Sequence, residues 1–384
     1  MQVGVGLSTA PDPLVAAGEA ARAAVDRLGS SEAAFAMLVT SPHFARRAEQ
    51  VLETIHGVAA PQSLIGCVAE AVVAGPREVE GEPAVAVWLA ALSRPVETFH
   101  MEFVRTSAAA VIGGYRFDPS RPDPHLLIPD PYTFPAPALL SHLNENAPRT
   151  LVMGGIASGT PGRSTLFRDT KVVTSGAVGV RLPDVTLRPV VSQGCRPIGN
   201  PYTVTGAQGP VITELAGQPP AQLLENIVAG LPAHEQRLIA TGVLIGIVVD
   251  EYKAELARGD FLVRPITGVD EDVGWIHLGE QVPVGTTVQF HVRDAASADE
   301  DLRESLARAR DDGPAAAALL FTCNGRGTRL FDSPNHDTAL IGEILGDLPT
   351  AGYFAAGEIG PVGGKNFMHG FTASLALLDD RSRR

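Results

Sequence analysis

The fold is indicated most clearly by residues 315–327, AAAALLFTCNGRG, and by residues 351–358, AGYFAAGE. Each stretch is an apolar run that passes into small and polar residues, which is typical of a buried strand ending in a loop. A helix is predicted between them, over about residues 335–345. Two strands joined through a helix are expected to lie parallel, with a right-handed connection.

The same order of elements is predicted twice earlier in the chain. The distance from the loop after the first strand to the glycine of the second strand is similar each time, at 26, 24 and 29 residues (Thr40 to Gly66, Asp130 to Gly154, Cys323 to Gly352). We therefore predict three repeats of strand, helix, strand, hairpin and antiparallel strand. The first repeat covers residues 33–92, the second residues 126–182 and the third residues 315–378.

Repeats of this kind predict an α/β (α+β) protein with mixed β-sheets covered by helices. Residues 189–293, between the second and third repeats, have several short strand patterns and two helix candidates, Pro220–Ala229 and Leu238–Leu256. A boundary near residue 188 would divide the chain into two related halves, residues 1–188 and 189–384.

The composition indicates which kinds of binding partner and which cellular location to expect. The net charge of −13 argues against nucleic acid and anionic membranes as partners, because such surfaces repel an acidic protein. No signal peptide or spanning segment is apparent, and the three cysteines lie far apart, so we expect a soluble cytoplasmic protein with no metal site. No cofactor is expected, since the start of a dinucleotide motif at Gly4-Val5-Gly6 has Thr9 where the third glycine belongs.

Ligands of open α/β sheets bind outside the carboxyl ends of parallel strands. In the third repeat those ends carry the principal candidate binding residues: Cys323, Asn324, Gly325, Arg326, Gly327, Gly357 and Glu358. A guanidinium and a carboxylate on adjacent loops could clamp a zwitterion such as an amino acid. Alternatively, Arg326 and Glu358 pair with each other and hold two loops together.

Weaker candidates lie at corresponding positions elsewhere: Cys67, Glu70, Gly155, Ser158 and Arg196. A structural role is the commoner outcome for the first four of these residues, and for Arg196 it is a surface charge. Cys323 could act as a nucleophile if His369 served as its base, although a small buried thiol is the commoner outcome at a strand end.

Several of these motifs resemble the FIST family (F-box and intracellular signal transduction proteins). Residues 64–67, LIGC, 154–159, GGIASG, and 173–179 look like its N-terminal half. The resemblance to its C-terminal half is more specific and rests on GCRPIG, VT, FTCNGRG and GYFAAGEIG (residues 194–199, 204–205, 321–327 and 352–360). The resemblance implies a sensory module for small ligands such as amino acids, often fused to signalling domains. The family provides no established catalytic residues to transfer.

Three hypotheses of function remain open. The first is a stand-alone sensory or small-molecule binding protein that acts through a separate signalling partner. The second is an enzyme that uses Cys323 with His369 or Glu358. The third is an adaptor whose glycine- and proline-rich loops contact other proteins. The sequence determines neither the ligand nor the oligomeric state.

Overall fold

The three predicted repeats are all present in the computed structural model, which describes residues 1–29, 32–106, 109–239, 242–253 and 255–380. The first repeat and the strand and helix before it contain β1 Gln2–Ser8, α1 Pro13–Leu28, β2 Phe35–Thr40, a 3₁₀ turn at Pro42–Arg47, α2 Ala48–Ala59, β3 Leu64–Val68, β4 Ala71–Ala74, β5 Arg77–Glu80 and β6 Val85–Ala91. Helix α1 begins at Pro13, and the residue before it, Asp12, caps the helix. The carboxylate of Asp12 accepts hydrogen bonds from the amides of Leu14 and Val15.

Two strands precede the second repeat, β7 Glu97–Arg105 and β8 Ala110–Gly113. The repeat itself contains β9 His125–Pro129, α3 Ala136–Asn146, β10 Val152–Gly155, β11 Leu166–Arg168, β12 Lys171–Val173 and β13 Ala177–Arg181. It is followed by β14 Val185–Gln193.

The segment between the second and third repeats is mostly β-structure. It contains β15 Cys195–Gln208, β16 Val211–Leu215, α4 Pro220–Gly230, α5 Ala233–Ile239, β17 Val243–Val248, β18 Phe261–Pro265, β19 Gly268–Asp270, β20 Trp275–His277 and β21 Thr287–Arg293. The first helix candidate is confirmed as α4. The second, Leu238–Leu256, is wrong, because β17 runs through it and pairs with β18 and β21 on its two sides. A short apolar run fits a buried strand as well as a helix, and here strand pairing decides.

The third repeat completes the chain. Its elements, with the helix before them, are α6 Ala295–Asp311, β22 Ala317–Cys323, a 3₁₀ turn at Gly327–Arg329, α7 His336–Leu345, β23 Thr350–Ala355, β24 Glu358–Val362, β25 Lys365–His369 and β26 Thr372–Asp380. The architecture is therefore α/β, with mixed sheets and helices, as the sequence predicts.

Within each repeat the strands pair as expected. Parallel pairs form between β2 and β3, β9 and β10, and β22 and β23, and the last strand of each repeat returns antiparallel to the first. In the described residues the strand orders are β1-β6-β2-β3-β11-β12, β25-β24-β10-β9-β13-β7-β8, β14-β26-β22-β23-β4-β5 and β18-β17-β21-β15-β16-β20-β19.

The hairpins are exchanged between the repeats in a closed cycle. The hairpin of the first repeat pairs through β4 with β23 of the third repeat. The hairpin of the second repeat pairs through β11 with β3 of the first, and that of the third pairs through β24 with β10 of the second. The sheet of each repeat therefore includes a hairpin from another repeat. Local sequence patterns do not predict this exchange.

The glycine that recurs in the second strand of each repeat is required by backbone packing. Gly66, Gly154 and Gly352 each lie opposite a leucine of the neighbouring parallel strand. A Cβ atom at these positions would stand 1.8–1.9 Å from the carbonyl oxygens of Leu38, Leu127 and Leu320. Any larger side chain would collide with backbone, so the position in each repeat requires glycine.

The described chain separates into two compact units. One contains Met1–Val191, Leu302–Met368 and the strand from Thr372; the other contains Ser192–Asp301 and His369–Phe371. The three repeats share a core of buried apolar residues that includes Phe35, Trp88 and Tyr353. We predict from the sequence that the chain consists of two related halves that meet near residue 188. The division into compact units does not test whether the halves are related, so this stays a prediction.

Candidate functional site

The loop after β22 is folded tightly against the end of β23. The amide of Asn324 donates to the carbonyl of Ala355 at 2.9 Å, and the amide of Arg326 donates to the carbonyl of Cys323 at 2.8 Å. The amide of Gly325 also donates to Cys323 Sγ at 3.4 Å. These bonds bring the two strand ends that carry the principal candidates together.

Arg326 is completely buried, and its partner is a carboxylate at the start of α7. Its Nε and Nη2 donate to Asp337 at 2.9 and 2.7 Å, and the Thr322 hydroxyl donates to the same carboxylate at 2.7 Å. Burial would raise the pKa of Asp337, but the charge of Arg326 and three side-chain hydrogen bonds hold that pKa well below its usual value. The guanidinium therefore faces a permanent anion.

The alternative that Arg326 pairs with Glu358 is wrong, because the ion-pair partner of Arg326 is Asp337. Glu358 is fully buried and uses Oε2 to accept hydrogen bonds from Thr372, 3.1 Å from the amide and 2.8 Å from the hydroxyl. Burial raises the pKa of Glu358 to about 8, against the opposing effects of these hydrogen bonds, of the charge of Arg326 and of the neighbouring Cys323 thiol. Its carboxyl is therefore mostly protonated at neutral pH.

Polar atoms without a partner are concentrated in this loop region. Among the residues that the structure describes, Arg326 Nη1, Glu358 Oε1 and Asn324 Oδ1 are inaccessible to solvent and make no hydrogen bond. Buried polar groups are almost always satisfied, and each exception calls for an explanation. The three atoms without a partner are thus one charged donor, one amide acceptor and one carboxyl oxygen.

The exchanged hairpin of the first repeat covers the other side of the loop. Glu80 accepts hydrogen bonds from the amide and hydroxyl of Thr328 at 3.0 and 2.8 Å. Glu78 accepts from the amide of Thr338 at 2.8 Å, and burial, with the charge of Asp337, raises its pKa to about 8. Sequence reasoning missed Asp337, Glu78 and Glu80; the one available signal was the acidic first turn of the predicted helix.

The glycines of the loop and of the adjoining turn have backbone roles. Gly327 has φ +57°, and a Cβ there would lie 2.6 Å from Phe354 and 2.7 Å from Glu80. The carbonyl of Gly357 accepts a hydrogen bond from Ile156 of the second repeat at 2.8 Å. Both therefore fix the shape of the site through the backbone.

Four of the weaker candidates connect the repeats to one another. The Ser158 hydroxyl accepts from the amide of Glu70 at 3.0 Å and donates to the carbonyl of Phe354. The Glu70 carboxylate pairs with Arg329 in the loop after β22. Tyr353 donates its hydroxyl proton to the carbonyl of Gly155. Burial raises the pKa of the Cys67 thiol far above its usual value, against the opposing effect of the neighbouring Tyr353 hydroxyl, so this thiol is unsuited to nucleophilic chemistry.

The remaining candidates belong to the other compact unit. Arg196 pairs with Glu235 at 3.1 Å and with Asp294 at 3.5 Å. His369 is the last residue of β25 and is buried.

Within the described ranges, no group of three or more His, Cys, Asp or Glu side chains is placed to hold a metal ion. None of the described helices combines the length and the apolar composition that crossing a membrane requires.

Comparison with known proteins places these features in a family. The FIST N domain matches residues 34–218 and the FIST C domain matches residues 220–361. A Mycobacterium tuberculosis relative, uncharacterized protein MT0656, is 54% identical over 384 residues, covering 99% of this chain and 100% of the relative. A Mycobacterium bovis relative, uncharacterized protein Mb0898c, is 53% identical over 384 residues, covering 99% of each.

The fold and the loop site thus define a protein with a FIST N and a FIST C domain in one chain. The chain belongs to the FIST family, whose domains are generally sensory domains of signal transduction. The two matched domains meet near residue 219.

Proposed function

We propose that this protein binds a small molecule at the loops around Arg326 and Glu358 and acts as a sensory protein. The observation that carries the proposal is the set of three buried polar atoms without a partner, Arg326 Nη1, Glu358 Oε1 and Asn324 Oδ1. A ligand that satisfied them would recover the free energy lost by leaving them unpaired, about 1–3 kcal/mol for each neutral group and more for a charged one.

The chemistry of the three atoms favours a ligand with an acidic and a basic group. Arg326 Nη1 is a charged donor suited to a carboxylate. Asn324 Oδ1 is an acceptor suited to an ammonium group, and the protonated Glu358 carboxyl can donate or accept. An amino acid combines these groups, so amino acids are the first ligands to test.

The site is organised before a ligand arrives. Arg326 is fixed by two hydrogen bonds to Asp337 and lies 5.2 Å over the ring of Phe331. Fixing a recognition side chain in advance reduces the entropy that binding must offset. Asp337 is therefore proposed to position Arg326, without contacting the ligand itself.

The test is a thermal-unfolding screen of the full chain against amino acids and other small metabolites. We expect at least one compound to raise Tm in a saturable manner, because binding to the folded state alone stabilises it. The response should be lost in Arg326→Ala. Since that variant could fail to fold, Asn324→Ala and Glu358→Gln provide milder tests.

Asn200→Ala is the matched control, since Asn200 is exposed and lies on β15. It should keep the full response. The proposal fails if no compound shifts the wild-type protein, or if Asn324→Ala and Glu358→Gln respond as fully as Asn200→Ala.

Signal output through a separate protein is the second part of the proposal. Binding would then change the affinity of this chain for its partner. Affinity capture with and without the identified ligand tests it, and a partner set unaffected by ligand would contradict it.

A further inference from the structure

The first repeat forms a junction of the same kind as the candidate site. In the third repeat, the loop after β22 meets the exchanged hairpin β4–β5. In the first repeat, the loop after β2 leads into α2 and faces the segment before the exchanged hairpin β11–β12. A cavity of about 550 Å³ lies at this junction and is lined by residues 45–50, Thr160, Arg163, Thr165 and Val172.

The charged side chains differ between the two junctions. At the third repeat the hairpin supplies Glu80, which accepts hydrogen bonds from Thr328, and Glu78, whose pKa burial raises to about 8, and the arginines there are paired with Asp337 and Glu70. At the first repeat the cavity is lined by three arginines, Arg46, Arg47 and Arg163, and by one acidic residue, Glu49. This concentration of positive charge stands out in a chain with a net charge of −13.

The three guanidinium groups are largely available. Among the described residues, the side chains of Arg46 and Arg163 make no hydrogen bond and no ion pair. Arg47 donates from Nε to Gln50, which leaves both of its Nη groups for another acceptor. The hydroxyl groups of Thr160 and Thr165, also in the lining, are further hydrogen-bond donors.

We propose that this cavity binds a small molecule through its phosphate group. Arginine presents a planar fork of N–H donors that matches phosphate oxygens, and such charge-assisted bonds are stronger than neutral ones. Three arginines offer more donors than a single carboxylate can accept, whereas a phosphate has three terminal oxygens for them. The site is separate from the Arg326 loop and does not depend on the function proposed for it.

The probe is inorganic phosphate, titrated into the full chain at constant ionic strength and followed by calorimetry and by Tm. We expect saturable binding that sodium chloride at equal ionic strength does not reproduce. The double variant Arg46→Gln/Arg163→Gln should weaken binding by at least about tenfold, since it removes two charge-assisted contacts.

Arg149→Gln is the matched control, because Arg149 is exposed and does not line this cavity. It should bind phosphate as the wild type does, and so should Asn324→Ala, which is altered only at the other site. No saturable binding by the wild type, or equal binding by the double variant and Arg149→Gln, would overturn the proposal.

A second arm of the experiment addresses phosphate carried by a lipid. Vesicles of a neutral phospholipid with and without phosphatidylglycerol are sedimented with the protein. The proposed small-molecule site predicts no sedimentation with either vesicle. Sedimentation with the phosphatidylglycerol vesicles in the absence of a response to free phosphate would contradict it.

Discussion

Arg326 and Asp337 form a fully buried ion pair, joined by two hydrogen bonds of 2.9 and 2.7 Å between the loop after β22 and the first turn of α7. The pair holds the loop to the helix and leaves the remaining nitrogen, Nη1, without a hydrogen-bond partner among the described residues. Stability and the proposed recognition therefore depend on the same guanidinium.

Asp337→Asn is expected to destabilise the protein by about 3–5 kcal/mol, because it leaves the buried charge of Arg326 uncompensated. The free energy of unfolding in urea measures the effect. Asp347→Asn, at an exposed position, is the control and should stay within about 0.5 kcal/mol of wild type. If Asp337→Asn does not fold, the double variant Arg326→Met/Asp337→Leu should restore folding, since it removes both charges. Equal stability of Asp337→Asn and Asp347→Asn would contradict the prediction.

Glu358 is expected to make the protein less stable as pH rises. Its pKa is raised to about 8 in the folded protein, whereas a carboxyl in the unfolded chain titrates near about 4.3. Between these values the folded state holds a proton that the unfolded state has lost, so raising the pH favours unfolding.

Glu358→Gln should remove this contribution and flatten the decline in stability between about pH 4.3 and 8. The slope should change by as much as about 1.4 kcal/mol per pH unit. Urea unfolding at a series of pH values provides the measurement, with Glu145→Gln, at an exposed site, as control. A slope that is the same in all three proteins would show that Glu358 titrates normally.

Gly352→Ala should destabilise the protein by at least about 3 kcal/mol, because the new methyl group would collide with the carbonyl of Leu320. Gly342→Ala is the matched control within the third repeat. A Cβ there meets no atom within 4 Å, and alanine is favoured over glycine in the interior of α7. We expect Gly342→Ala to stabilise by about 0.5–1 kcal/mol. Comparable stabilities of the two variants would contradict the packing of β22 against β23.

Cys323 should be alkylated before the other two cysteines in the folded protein. Cys323 as a residue retains 9% exposure, whereas Cys67 and Cys195 retain 0% and 1%. Iodoacetamide labelling followed by peptide mass spectrometry gives the three rates. Labelling of Cys323 well below pH 8 would support the alternative in which it is a nucleophile, and slow labelling that needs denaturant would count against it. Labelling of Cys67 as fast as Cys323 would contradict the structure of the core.

Much of the fold could be predicted from local patterns. Apolar runs, helical spacing and the recurring glycine are sufficient to predict the three repeats and their parallel strands. At β17 the sequence predicts a helix and the structure has a strand, because a short apolar run fits either structure until its neighbours are known.

The candidate site was predicted in part. Cys323 at the end of β22, Arg326 in the loop that follows, and Glu358 at the start of β24 belong to segments that the structure brings together, as the rule for parallel strand ends suggests. The partner of Arg326 was not predicted, since an arginine in a loop can reach many carboxylates. Nor were Glu78 and Glu80 predicted, because they come from a hairpin that pairs with a strand more than 250 residues away.

The sequence by itself determined the repeats, the recurring glycines Gly66, Gly154 and Gly352, and the position of the loop that carries Arg326. These features follow from periodicity and from the steric demands of single residues. The tertiary structure alone decided that hairpins are exchanged between repeats, that Asp337 neutralises Arg326, and that burial raises the pKa of Glu358. Pairing across long sequence separations and the desolvation of buried charge depend on the whole fold, so no local pattern encodes them.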